Sequence, residues 1–405
     1  MDHSKKLIVS KYLLPVTSKA IKAGCLVVDS KKILAMGSYS VLKRDYPSLP
    51  EEDYSDSIIL PGFVNAHTHL ELGSLRNKVP YSGSFVGWIR SLGLAKRHFN
   101  EPDIIQAVID GANELWDSGV VAVGDISSEY ISRRALSQHP MSGKVYWEYI
   151  SPSPDAVMPR LRALTESMTD DNLSHTGIED GISPHSPYTL CPQAFAAINS
   201  LATESNLSQA IHVGESQSEK DFFQSRTGEL FDFIHSFYPV TNKINGTSPL
   251  AYLQAEGYLS PETLIIHLNI LEDHEIDILQ NLSLSVVHCP GSHEFFSHPE
   301  FQMKKLVDSH VNVCLGTDSL ASTDNLNFFQ ELRRIKNNYP FLSGDIIIRM
   351  ATIHGAKALK LDSGLGELSV AKHYNMIAIP GHSQTEPLEE VIYHNGPVKH
   401  IKSAQ

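Results

Sequence analysis

From residue 58 onward the chain repeats one pattern: a short apolar run that ends in a polar residue, then a longer stretch with helical spacing. The runs are IILPGFVNAHTH (58–69), VVAVGDIS (120–127), KVYWEYIS (144–151), GISPHSP (181–187), SQAIHVGES (208–216), TLIIHLNI (263–270), LSVVHCPGS (284–292) and NVCLGTDS (312–319). Between them lie amphipathic stretches such as 101–119 and 192–206. Strand alternating with helix predicts a parallel sheet, and eight such units predict an α/β fold, a (β/α)8 TIM barrel over residues 60–360. Before it, LIVSKYLLPVT and GCLVVDSKKILAMG read as strands, the second turning at Lys31–Lys32. After it, 345–362 reads as a helix, and YNMIAIPG and EVIYHNG read as strands. Residues 1–59 and 361–405 are therefore expected to build one small β-sandwich from both termini.

The polar ends of the runs carry the chemistry. They are His69, Asp125, Glu148, His185, His212, His267, His288 and Asp318. Active sites of such barrels lie at the carboxyl ends of the strands, and loop polarity alone does not explain five histidines in eight ends. His67 and His69 stand at i and i+2, so a strand presents both imidazoles on one face. With His212 and the Asp318 carboxylate they form a nitrogen and oxygen set that suits Zn²⁺ or Fe²⁺ and does not suit Ca²⁺. Glu215, three residues past His212, is placed to carry protons for a water nucleophile, with Asp318 as a second acceptor. His267 is placed to orient that water or polarise the substrate. Ser319 follows Asp318 and is expected to orient its carboxylate. His288, His293 and His298 lack an accompanying acid, so they read as hydrogen-bonding groups rather than a second metal site.

Composition narrows the partners. The 405 residues carry a formal charge of −13, which disfavours nucleic acid and anionic membrane surfaces. Cys25, Cys191, Cys289 and Cys314 are scattered, which gives no disulfide framework and no zinc finger, and fits reduced thiols in a cytoplasmic protein. The first residues lack the apolar core of a signal peptide, and no run of about 18 apolar residues could span a membrane.

PGFVNAHTHLEL, SPHSPYTL, IHVGES, HCPGSH and LGTDSLAS, in this order, resemble the amidohydrolase superfamily, in particular its cytosine deaminase/chlorohydrolase branch. The resemblance covers nearly the whole chain. It implies one divalent metal per chain, Zn²⁺ first with Fe²⁺ or Mn²⁺ as alternatives, on His67, His69, His212 and Asp318. It implies that Glu215 is the acid/base, that His267 is the sixth-strand histidine, and that His185, in a PHSPY resembling the family's PHAPY, meets substrate. No carbamylated lysine is expected. Two places depart from the family pattern: CPGSHEFF puts His293 where an asparagine is usual, in a loop that shapes the substrate pocket, and YNM replaces the closing ADL.

NAHTHLEL followed by a long loop looks like the aminodeoxyfutalosine deaminases of menaquinone biosynthesis. The loop 70–93, with Glu71, Tyr81, Phe85, Trp88 and Arg90, and the segment 216–250, with Phe222, Phe223 and Arg226, are expected to cover substrate. Glu71, Trp88, His185, His293 and Ser319 are thus the expected substrate-facing residues. The expected reaction is hydrolytic deamination of an adenine-containing nucleoside, a small-molecule substrate. The alternatives are guanine deamination, triazine dechlorination or cyclic amide cleavage on the same site, and a catalytically inactive binding relative. A homodimer is the assembly to test.

Overall fold

A computed structural model describes residues 5–128, 131–168, 177–238, 246–382 and 386–403. Its eight parallel strands follow the repeats: Phe63–Thr68, Val120–Ser127, Ser142–Tyr149, Ile178–Pro184, Ser208–Val213, Leu264–His267, Ser285–His288 and Asn312–Leu315. They pair in sequence order. A parallel bridge between Thr68 and Asp318 brings the exit of the eighth strand back to the first. Val120–Ser127 is buried at every position, as a parallel strand covered on both faces must be. Gly316 permits the closure, since a Cβ there would lie 2.9 Å from the His67 carbonyl oxygen and 2.9 Å from Cys289 Sγ.

A second sheet of seven strands draws on both chain ends. Lys6–Leu13 pairs antiparallel with Gly24–Val28, which pairs with Ile33–Ser38. The intervening turn is tied by Asp29, whose Oδ1 accepts from the Lys31 and Lys32 N–H groups, both at 2.7 Å. Glu51–Pro61 runs parallel to Lys6–Leu13 and antiparallel to Asn375–Pro380, and Lys399–Lys402 adds beyond that. Successive side chains take opposite faces: Leu7, Cys25 and Val27 pack with Leu42, while Ile8, Leu26 and Val28 pack with Tyr54 and Met376.

Three expectations are corrected. EVIYHNG is not a strand; Pro387–Ile392 is a helix, because a proline in the first turn and Glu389 and Glu390 beside the helix N-terminus favour it over the β-branched pair Val391–Ile392. The helix expected over 345–362 is two, Gly344–Met350 and Ile353–Ala358, broken where Thr352 leaves helical backbone geometry. The loop 70–93 is helical in part: a 3₁₀ segment, Leu70–Leu75, precedes the helix Phe85–Lys96, whose N-cap Ser84 accepts from the Gly87 N–H at 2.8 Å.

The chain falls into two compact units, Met1–Asn65 with Glu114–Ala122 and Asn327–Gln405, and Ala66–Asn113 with Val123–Leu326. The residues of the candidate site belong to the second. No described helix is long and apolar enough to cross a membrane.

Candidate active site and metal centre

The exits of the first, fifth and eighth strands converge. His67 and His69 put their ring centroids 4.8 Å apart and nearly perpendicular. His69 Nε2 lies 3.3 Å from His212 Nε2, and Asp318 Oδ1 lies 3.6 Å from His67 Nε2 and 4.0 Å from His69 Nε2. Among the described residues, His67, His69 and His212 form the only group of three potential ligands whose atoms all lie within 4.8 Å of one another. This cluster could hold one divalent metal.

Local structure sets each donor. His212 Nδ1 donates to the His185 carbonyl at 2.9 Å, which leaves Nε2 as the lone-pair nitrogen that faces His69. Burial pushes the imidazoles of His67 and His212 below their ordinary range, His212 strongly so, with neighbouring histidines adding to it. Neutral imidazole is the ligating form. Asp318 sits at φ 59°, a conformation uncommon for a non-glycine residue and concentrated at functional sites. Burial works to raise its carboxyl, but the His67 imidazole beside it and the other histidines around it prevail and hold it well below the usual carboxylate range.

The hydroxyls on the Asp318 carboxylate are those of Ser292 and Ser322, which donate to Oδ2 at 2.6 and 2.9 Å. Ser319, expected in that role, contributes its backbone N–H to Oδ1 at 2.8 Å, while its hydroxyl lies 3.3 Å from the Ser322 hydroxyl.

Glu215 and His267 face each other beside the cluster, with Oε1 3.7 Å from Nε2. Burial, with the charges of Asp318 and Glu219, raises the Glu215 carboxyl well above its ordinary value. Burial lowers His267 to about 3, keeping it neutral. His267 and Leu268 both take positive φ, 71° and 47°, which turns the chain out of the sixth strand.

These groups line a cavity of about 260 Å³. One wall is a single helix face: Phe85, Trp88, Ile89, Leu92 and Lys96 line it at helical spacing. Leu230, Phe233 and Ile234 do the same from the helix Glu229–Phe237. The two helices are tied by Arg90, 4.7 Å from the Phe233 ring centroid, and by Ser84 donating to Glu229 at 2.6 Å.

A polar wall faces these. Glu71 accepts from Ser127 Oγ at 2.8 Å, the Ser128 N–H at 3.0 Å and Lys96 Nζ at 3.0 Å. Glu148 accepts from Ser128 Oγ at 2.5 Å and lies 3.9 Å from His185 Nε2.

The cavity thus brings together His69, Glu71, Trp88, His185, His212, Glu215, His267, Asp318 and Ser319; His67 stands directly behind, fully buried. His293 is not among the described residues that line it. Its Nδ1 hydrogen-bonds Asn269 Oδ1 at 3.0 Å. Phe222 and Phe223 are packing residues, fully buried against Tyr188 and Tyr252. Arg226 lies over Phe231, 5.7 Å from its centroid. Part of the 216–250 segment, 239–245, lies outside the described residues.

Sequence reasoning gave no specific role to Lys96, Glu148, Tyr188, Ser292, Ser322 and Asn269. Glu148 stood at a strand end, and Lys96 stood at the helical spacing of Trp88 and Leu92; those signals were available. The two serines stood inside the HCPGSH and LGTDSLAS stretches, but nothing in those stretches pointed either hydroxyl at Asp318.

A model of the amidohydrolase family matches residues 58–402. The aminodeoxyfutalosine deaminase of Deinococcus radiodurans is 28% identical over 367 residues, covering 87% of this chain and 85% of that protein. The 5-methylthioadenosine/S-adenosylhomocysteine deaminase of Syntrophobacter fumaroxidans is 25% identical over 371 residues, covering 88% and 80%. The crystal structure of Helicobacter pylori aminofutalosine deaminase in complex with methylthio-coformycin shares the fold, with a TM-score of 0.86 at 22% identity over 97% of each chain. With the barrel, the strand-end cluster and a family match from residue 58 to residue 402, the chain belongs to the amidohydrolase family.

Proposed function

We propose that this chain is a metal-dependent hydrolytic deaminase. It replaces the exocyclic amino group of an adenine ring, carried on a nucleoside, by oxygen and releases ammonia. The observation that carries the reading is the placement of Glu215: a buried carboxyl with a raised pKa opens on the same cavity as the histidine and aspartate cluster, 3.7 Å from a neutral His267.

The residues fit a single metal ion. Ligands at 2.0–2.1 Å on a tetrahedron stand roughly 3.3–3.4 Å apart, and His69 Nε2 and His212 Nε2 stand 3.3 Å apart. His67, His69, His212 and Asp318 would hold it, with Zn²⁺ the best match to the donor set and Fe²⁺ or Mn²⁺ next. When bound, such an ion would lower the pKa of water to about 7.

The rest is the work of side chains. Glu215 takes one proton of the attacking water and passes it to a ring nitrogen as aromaticity is lost; it then takes the remaining proton of the added hydroxyl and gives it to the amine, so that the C–N bond breaks, ammonia leaves and the carbon keeps the oxygen as a carbonyl. Burial and the charges of Asp318 and Glu219 raise its carboxyl well above the ordinary value, which favours holding a proton once it is taken. His267 stays neutral and orients the water. Trp88, Phe85 and Phe233 offer aromatic faces to a planar ring. Glu71, Ser128 and Glu148 offer hydrogen-bonding groups that suit sugar hydroxyls better than a bare base. The names of the two relatives, both deaminases of adenine nucleosides, support the same substrate class.

The test is a panel of adenosine, 5-methylthioadenosine, S-adenosylhomocysteine, aminodeoxyfutalosine, guanine and a chlorotriazine, with Zn²⁺-loaded protein and ammonia and chloride as readouts. Ammonia from one or more adenine nucleosides is expected. Turnover of guanine or the triazine alone, or of nothing by metal-loaded protein, would sink the reading.

A further inference from the structure

Where the fifth and sixth strands leave the barrel, their ladder continues for two more backbone bonds. The Leu268 N–H donates to the Val213 carbonyl at 3.0 Å, and the Ile270 N–H donates to the Gly214 carbonyl at 2.9 Å. Gly214 takes φ 62°, and a Cβ there would lie 2.8 Å from the Ile270 carbonyl oxygen. At Glu215 a side chain replaces the ladder: Asn269 Nδ2 donates to the Glu215 carbonyl at 3.0 Å. The other side of the Asn269 amide is occupied too, since Oδ1 lies 3.0 Å from His293 Nδ1. His293 Nδ1 as the donor sets the amide so that Nδ2 points at Glu215. The opposite peptide group of Glu215 is also held. Its N–H donates to Glu219 Oε2 at 2.8 Å, and Glu219 is 1% exposed.

We infer that Asn269, set by His293, and Glu219 are positioning residues that clamp both peptide groups of Glu215 and so aim its carboxylate at the reacting atoms. The inference rests on the proton-carrying role proposed for Glu215. None of the three residues lines the cavity, so none is a catalytic residue. The clamp is needed because Glu215 lies beyond the last residue of its strand, where no ladder bond restrains it, and a proton carrier loses rate steeply with misplacement. A shift of about 1 Å can cost on the order of 10²-fold. It also accounts for His293: its ring serves Asn269 rather than substrate.

The test is a double-mutant cycle on the metal-loaded enzyme, with metal content and Tm measured alongside. Asn269→Ala is expected to lower kcat by roughly 10–100-fold, with KM within about threefold and metal content unchanged. In the Glu215→Gln background the same change should cost little, because what it positions can no longer shuttle protons. Glu219→Gln, which keeps an acceptor for the Glu215 N–H, should retain most of the kcat that Glu219→Ala loses. If Asn269→Ala fails to fold, Asn269→Ser, a shorter donor, takes its place in the cycle. An equal fold loss in both backgrounds, or a loss confined to KM or to metal content, overturns the inference. Near-normal kcat in Glu215→Gln alone overturns the parent reading, and that variant reports it separately.

Discussion

Ser292 and Ser322 both donate to the same oxygen of Asp318, at 2.6 and 2.9 Å, which leaves Oδ1 to face His67 and His69. Outer partners of this kind orient a ligand and typically change metal affinity by about 10–100-fold. Wild-type protein is expected to hold one tightly bound ion by elemental analysis. The double change Ser292→Ala and Ser322→Ala should weaken its retention against a competing chelator by about that factor. Unchanged retention would remove Asp318 from the ligand set, and two tight ions per chain would end the mononuclear assignment.

Glu215→Gln keeps the shape of the side chain and cannot carry a proton. Positioned acid/base groups contribute about 10²–10⁴-fold, and one that acts more than once belongs near the top of that range. The expected result is kcat down by roughly 10³-fold with normal metal content. Retention of more than about a tenth of wild-type kcat would pass the role to His267 or Asp318.

Trp88 has two duties in the structure. It lines the cavity, and it packs at 4.8 Å centroid distance on Phe296 while its Nε1 donates to the Val79 carbonyl at 3.2 Å. Trp88→Ala should therefore lower Tm, in keeping with about 3–5 kcal/mol for emptying such a site, and raise KM. Trp88→Phe keeps an aromatic wall and should recover most of the KM. If KM stays at the wild-type value in Trp88→Ala while Tm falls, Trp88 is a packing residue only.

Burial pushes the Asp125 carboxyl up to about 7, despite hydrogen bonds from the Leu70 N–H and the Ser132 hydroxyl. Its ordinary value is 3.8. Across the window from 3.8 to about 7 the native state therefore holds more protons than the unfolded chain, and stability falls as pH rises. Glu219, raised to about 7 by burial, acts with the same sign. Tm should decline from pH 5 to pH 8 in wild type and decline less in Asp125→Asn, which has no proton to lose. Equal slopes in scanning calorimetry would place the pH dependence elsewhere.

The sequence by itself determined the barrel and which histidines and aspartate meet at its strand exits. Strand periodicity is local, so His67 and His69 must share a face once the run is a strand. The rule that barrel sites form at strand exits then gathers residues as distant as His67 and Asp318 without any knowledge of packing. The family resemblance added roles for Glu215 and His185 on positions the residue pattern had already singled out. Only tertiary structure decided which hydroxyls grip Asp318: Ser319 is its chain neighbour, yet Ser292, 26 residues away, makes the shortest of those bonds. A hydrogen bond depends on direction to within a few tenths of an ångström, and chain adjacency does not specify direction. The same holds for the hydrogen bond between His293 and Asn269, 24 residues apart, which no local pattern announces. It holds also for the segment after the first strand. Its glycines and serines read as a loop, but Ser84 caps a helix whose apolar face finds the cavity, and that burial outweighs the weak local propensity.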